Sequence, residues 1–308
     1  MTHPKRSLRR IACIGEVMIE LIAGKDGQAA LGIAGDTFNT AVYLARQLRG
    51  TEATVSYVTA LGTDPYSDRI LAAMHSHGLN TDCVERRADQ MPGLYAIETD
   101  DAGERSFYYW RSASAARSLF QTPCEITLES LNQFDLVLLT GISMAILPQH
   151  IRDQIIAWID RFRAAGGTVV YDSNYRPRLW ESPEIAQQVN TAMWARADIA
   201  LPSVDDEMAM FGDAGPNEVL QRLTANGVTR GALKRGAEGP LDLASGDTPN
   251  GLRHVAKVID STAAGDSFNA GYIAAIIQGQ SDLEAAKAGH NLASQVIQYP
   301  GAIIPDTA

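Results

Sequence analysis

The sequence predicts an α/β protein on an open, doubly wound, mainly parallel sheet, a three-layer Rossmann-like arrangement. Three observations predict it. Short apolar runs rich in β-branched residues and leucine recur along the chain, helical patterns separate them, and turn residues mark the joints. Right-handed crossovers then put helices on both faces and ligands at the carboxyl ends of the strands. The 308 residues can bury a large core as one α/β domain or as two smaller ones. No repeat, low-complexity tract or Pro/Ser linker interrupts the alternation, so a single domain over residues 1–308 is expected.

The elements follow in order. The basic start MTHPKRSLRR reads as a short exposed arm. Glu16 and Glu20 interrupt the apolar run after it, and an alternating strand, RIACIGEV, explains that run better than a signal peptide. FNTAVYLARQL is a helix with Phe38, Ala41, Val42, Ala45 and Leu48 on its apolar face. TVSYVTAL is a strand and SDRILAAMHSHG a helix ending on Gly78. FDLVLLTG, TVVYDSN and ADIALPS are further buried strands. Two stretches break the alternation. Residues 16–35 hold two strand-like pieces around GKDG, and residues 93–111 form a hairpin pattern with DDAG at its turn. Both read as antiparallel additions to the main sheet, serving as a lid over the site or as a plain edge extension.

Composition narrows the function. The three cysteines, Cys13, Cys83 and Cys124, are widely spaced and suit free thiols in a reducing cytoplasm rather than a disulfide framework or zinc site. The net charge of -10 opposes nonspecific binding to nucleic acid or anionic membrane. No apolar run approaches the roughly 20 residues of a membrane helix.

The stretch VIDSTAAGDSFNAGY (258–272) carries the chemistry. Small residues, Ala263, Ala264 and Gly265, stand at the mouth of an apolar helix. There the unpaired amides and the dipole can receive an anion. Asp266 beside such a hole could accept a proton from a hydroxyl attacking phosphorus; an aspartate in that place also serves as an ordinary helix cap.

DSTAAGDSFNAGY resembles the carboxy-terminal signature D-T-x-G-A-G-D-x-F-x-A-G of the ribokinase-like (PfkB) carbohydrate kinases, with Ala263 where the family often has glycine. GIAGDTFNTAVYLARQL (32–48) resembles the family's amino-terminal motif G-G-x-x-x-N-x-A, with Ala34 for the first glycine. The resemblance implies a ribokinase-like fold, Asp266 as catalytic base, residues 263–266 as anion hole, and ATP as phosphoryl donor with Mg2+. It leaves open whether a monovalent cation activates the enzyme. LKRGAEGPL (233–241) resembles the strand and turn bordering the nucleotide, which carries over Lys234, Gly236 and Gly239; a tight β-turn would use the same residues. Ser203 and Asp206, with Glu207 adjacent, fall where the family has N-x-x-E near hydrated magnesium. The asparagine is absent here, and surface acids at a helix start would look the same.

The substrate region supplies Tyr108, Tyr109 and Arg111, then Asn174 and Arg176 just past an apolar strand. Arginine matches a carboxylate with two charge-assisted bonds, and tyrosine packs on a sugar skeleton; ordinary surface salt bridging is the other use of such arginines. GDTFNTAVYLAR, YYWRSASAAR, GISMAIL, DSNYRPRLW and QYPGAIIP together resemble the branch of the family that phosphorylates 2-keto-3-deoxy sugar acids on the terminal hydroxyl. That resemblance implies Gly35, Asp36, Asn39, Tyr95, Tyr109, Arg111, Asn174 and Arg176 as substrate residues. Fructokinases share N-x-R-x-x-L-W, so a fructokinase is the nearest alternative, and a sugar-binding sensor without turnover is the alternative of another class. The expected partners are a sugar acid, ATP and a second copy of the chain, paired through the strands of 16–35 and 93–111.

Overall fold

The computed structural model describes residues 3–24, 27–99 and 105–306. Its strands are β1 (Arg10–Ile14), β2 (Met18–Ala23), β3 (Ala29–Ala34), β4 (Thr54–Gly62), β5 (Val84–Arg87), β6 (Gly93–Thr99), β7 (Arg105–Trp110), β8 (Leu136–Thr140), β9 (Thr168–Asp172), β10 (Ile199–Ala200), β11 (Ala232–Leu233) and β12 (Leu241–Asp242). Its α-helices are α1 (Asp36–Gln47), α2 (Pro65–Ser76), α3 (Gly141–Ala145), α4 (Gln149–Ala164), α5 (Pro183–Trp194), α6 (Val204–Phe211), α7 (Pro216–Ala225), α8 (Ala264–Ile277) and α9 (Asp282–Val296). Among the described residues no helix is long and apolar enough to cross a membrane.

The main sheet has six strands in the order β10-β9-β8-β1-β4-β5, all parallel. Period-2 alternation splits each strand between two cores. Ala12, Ile14, Val58, Val137 and Val169 pack on one side with Ile155, Trp158 and Phe162 of α4. Ile11, Cys13, Tyr57, Leu138 and Val170 pack on the other with Phe38 and Val42 of α1 and with α8 and α9. Helix starts follow local rules: Asp64 accepts from the amides of Tyr66 and Ser67 to cap α2, and Ser182 accepts from Ile185 to cap α5, each with proline in the first turn. The three cysteines are unpaired.

One expectation is corrected. The hairpins of 16–35 and 93–111 are not additions to the main sheet. They form a separate four-stranded sheet, β3-β2-β6-β7, whose central pair β2/β6 is parallel. Each hairpin is antiparallel within itself, as its alternation requires, but pairing between hairpins is a tertiary choice. The predicted turns at Lys25–Asp26 and 100–103 lie outside the described residues. The amino-terminal arm is exposed, as expected, and two of its side chains tie it down. The Arg6 guanidinium donates to the Asn132, Phe134 and Ala165 carbonyls, and the Lys5 ammonium to the Gly167 carbonyl. Carbonyls at the end of α4 have no helical donors, and cations collect there.

The carboxyl ends of β8 and β9 meet the first turns of α1 and α8, where Thr140 and Asn174 donate to Asp36 and Asn269 donates to Asp172. The pleat gives the small sheet one face that meets this junction. Met18, Ala34, Tyr95 and Ile97 on that face form an apolar cluster with Ala263 and Ala302.

Candidate active site

The mouth of α8 sits at the centre. Ala263 is its N-cap, with φ 61°, and no side chain caps the helix. Asp266 is therefore not a cap. The Asn39 amide nitrogen donates to its Oδ2 at 2.8 Å instead, joining α1 to α8. Among the described residues the amides of Gly265 and Asp266 have no partner, whereas the Ala264 amide, an expected member of the hole, donates to the Ser261 carbonyl at 3.2 Å. Burial first, then the Asp36 and Asp172 carboxylates, push the Asp266 carboxyl up to about 8, against the Asn39 bond and the Lys234 ammonium. A left-handed alanine is strained by roughly 1–2 kcal/mol. Ala263→Gly is expected to raise stability by about 1 kcal/mol, read as a higher midpoint in thermal or urea unfolding; an unchanged or lower midpoint would remove the strain.

Two layers of polar side chains surround Asp266. Asp36, in the first turn of α1, accepts from the Thr140 hydroxyl at 2.6 Å and from the Asn174 amide at 2.9 Å. A Cβ at Gly35 would collide with the Glu16 carbonyl, so only glycine lets α1 start against β2. On the other side the Lys234 ammonium lies 2.5 Å from Asp172 Oδ2 and 3.2 Å from Asn269 Oδ1. Lys234 also stands 3.5 Å from where a Cβ on Gly265 would be, at the edge of the helix mouth.

Tyr95, Tyr109 and Arg111 are grouped on the small sheet. Tyr95 and Tyr109 are register partners with rings stacked at 5.8 Å, and the Arg111 guanidinium lies 6.0 Å from the Tyr109 ring. The Tyr95 hydroxyl donates to Glu20, and Arg111 is ion-paired with Glu16. Arg111 is 8% exposed and Glu16 1%, so the pair is sealed from water. Arg176 is half-exposed and faces Asp206 at 3.4 Å. Burial raises the Asp206 carboxyl, and Arg176 opposes that rise. Ser203 stands before α6 with no cap bond, and bridges in parallel to Lys234. Gly236 and Gly239 flank the turn after Lys234, both at positive φ.

Glu207, expected beside the metal, is instead fully buried at the joint of α6 and α7. It pairs with Arg222 at 3.0 Å, and Arg222 also pairs with Asp213 at 2.5 Å and covers the Phe211 ring. Burial raises its carboxyl to about 7 against Ser173 and Arg222. Sequence spacing could not separate it from Asp206, because only the position of α7 decides which acid meets the arginine.

Sequence reasoning missed Thr140, Asp172, Asn269, Glu16 and Glu20. Asn269 follows Asp266 by three residues and so shares its helix face, a signal that was available. Asp172 has no local signal, since its lysine partner is 62 residues away.

A doubly wound sheet whose strand ends meet a helix mouth, a carboxylate and a lysine defines a small-molecule kinase. The chain belongs to the pfkB family of carbohydrate kinases, whose model matches residues 8–308. It is 46% identical to the 2-dehydro-3-deoxygluconokinase of Dickeya dadantii (strain 3937) over 96% of this chain and 97% of that protein. It is 46% identical to the enzyme of the same name from Escherichia coli (strain K12), over 97% and 98% of the two chains. Among solved structures, a PfkB protein from Polaromonas sp. JS666 superposes with a TM-score of 0.79 at 26% identity, over 94% of this chain and 96% of that one.

Proposed function

We propose that the protein transfers the γ-phosphoryl group of ATP to the terminal hydroxyl of 2-dehydro-3-deoxy-D-gluconate, giving 2-dehydro-3-deoxy-6-phosphogluconate. One observation carries the chemistry: the Asp266 carboxylate, held by Asn39 rather than spent on capping, stands beside two unpartnered helix-mouth amides and Lys234. The relatives at 46% identity support the substrate. In this reading Asp266 takes the proton from the attacking hydroxyl. Gly265, Asp266 and Lys234 stabilise charge on the phosphoryl group, with Ala263 and Ala264 shaping the hole. Gly35, Asp36, Asn39 and Asn174 hold the sugar hydroxyls. Arg111 and Arg176 receive the carboxylate, with Tyr95 and Tyr109 against the carbon skeleton. Ser203, Gly236 and Gly239 border the nucleotide.

Among the described residues no group of three or more His, Cys, Asp or Glu side chains could hold a metal. In this reading magnesium is carried on the nucleotide through phosphates and water, and Asp206 organises that water. The cation would neutralise phosphate charge during transfer. The small sheet serves as a lid that excludes water over the site.

ADP release with Mg-ATP and a panel of 2-dehydro-3-deoxygluconate, its galactonate epimer, fructose, ribose and adenosine tests the reading. Turnover confined to the keto-deoxy acids is expected; turnover with fructose would overturn the substrate, and binding without ADP would overturn the activity. The base must be ionised to act, so kcat/KM should rise with pH through an apparent pKa near 8. A profile flat between about pH 6.5 and 9 would remove Asp266 as the base.

The outer face of the lid sheet supports pairing of two copies. Its row Leu31–Leu21–Ala96–Tyr108 runs across all four strands with Leu31 and Tyr108 exposed, and Trp110 beside it is 63% exposed, whereas Ile33, Ile19 and Leu94 of the next row pack against the main core. Sedimentation should give a dimer for the native chain and a monomer for Trp110→Lys; a native monomer would sink the pairing.

A further inference from the structure

Asp172 is absent from every role assigned above, yet three polar groups meet its carboxylate. It is buried at the end of β9. Its Oδ1 accepts from the Asn174 backbone amide at 3.1 Å. Its Oδ2 meets the Lys234 ammonium at 2.5 Å and the Asn269 side-chain amide at 2.7 Å. The two oxygens therefore serve opposite halves of the cleft. Asn174 has a positive φ of 32°, a conformation that an asparagine tolerates when a neighbour holds it, and from it the side chain reaches Asp36 on the sugar side. Lys234 stands at the phosphate side. An unbound lysine on its flexible stem would sample many rotamers.

We propose that Asp172 is a positioning residue that ties the sugar-binding loop at Asn174 to the phosphate-side Lys234 and holds both ready for transfer. This rests on the kinase reading above. It assigns Asp172 no contact with substrate: it acts through Lys234 and Asn174, with Asn269 as the neutral brace. The arrangement has a cost in ground-state affinity, because a carboxylate beside a phosphate site repels the nucleotide. Its return is a lysine fixed where phosphoryl charge develops.

Asp172→Asn separates the two oxygens. The asparagine keeps an acceptor for the Asn174 amide and loses the anionic partner of Lys234. Expected is a fall in kcat of at least about tenfold, with KM for the sugar within about twofold of the native value and Mg-ATP bound no more weakly in calorimetry without sugar. The acid limb of kcat/KM should also move to lower pH. The titratable groups facing Asp266 are Asp36 and Tyr43 on α1, Tyr95 on β6, Asp172 at the end of β9 and Lys234 after β11. Removing the Asp172 charge withdraws one repulsion and leaves Lys234 unneutralised, and both changes favour ionised Asp266. An unmoved limb with native kcat, or sugar KM and ATP affinity lost together, would overturn the proposal. If the variant does not fold, Asn269→Leu tests the same lysine through its neutral brace, with a fall in kcat at native sugar KM expected and native kcat overturning it. Should the native chain use another sugar than the keto-deoxy acid, the comparison is made with that sugar; the substrate reading then fails while Asp172 is still judged. Should no sugar be turned over, Mg-ATP calorimetry alone judges it, and weaker binding in the variant overturns it.

Discussion

Asp266→Asn should lower kcat by about 10³-fold while the chain stays folded, because a positioned base contributes roughly 10²–10⁴ to such a transfer. ADP release gives the rate, and thermal unfolding gives a second, opposite readout. The folded-state pKa of Asp266 is raised to about 8 from 3.8. Between those values the folded chain holds a proton that the unfolded chain releases, so stability falls as pH rises through that window. Asparagine has no such loss. The variant should therefore unfold at a higher temperature than the native chain at pH 8, an expected exchange of stability for activity. Near-native turnover would sink the base assignment, and a variant less stable at every pH would sink the electrostatic account of its site.

Arg111→Met should cut kcat/KM for the sugar acid by about 10²–10³-fold and leave kcat/KM for any neutral sugar unchanged. The magnitude is that of truncating one partner of a buried charge pair, about 2–5 kcal/mol. Specificity is thus the first readout. Stability is the second, since Glu16 would be left buried without its cation, at about 3–5 kcal/mol. The double variant Glu16→Gln with Arg111→Met separates the two. It should recover most of the stability and none of the acid-sugar selectivity. Recovery of both would mean that Arg111 serves only Glu16, and the carboxylate would then need another receiver, with Arg176 the remaining candidate.

The comparison between chain and fold turns on distance along the sequence. The two-core sheet was legible because Ile11/Ala12/Cys13/Ile14 alternate locally, and period-2 alternation needs no partner to be read. The start of α8 was legible because small residues before an apolar run mark a helix mouth. The partner of Asp266 was not. Cap and base look alike in sequence, and Asn39, 227 residues away, decides between them by taking the carboxylate. The pairing of β2 with β6 was illegible for a similar reason. Each hairpin specifies its own turn and register, but nothing in residues 18–23 states that residues 93–99 lie alongside.

The amino-acid sequence by itself determined the strand and helix order, the glycine that lets α1 meet β2, the small-residue mouth of α8 and the family motifs, because these are short-range patterns of size and polarity. The tertiary structure alone decided that the hairpins form a separate sheet, that Glu16 occupies Arg111, that Glu207 turns to Arg222 rather than to the cleft, and that Asp172 joins Lys234 to Asn174. Each of these is a pairing of charges or backbone edges far apart in the chain. Such pairings are set where packing excludes water, because a buried polar group must then find its partners within the fold.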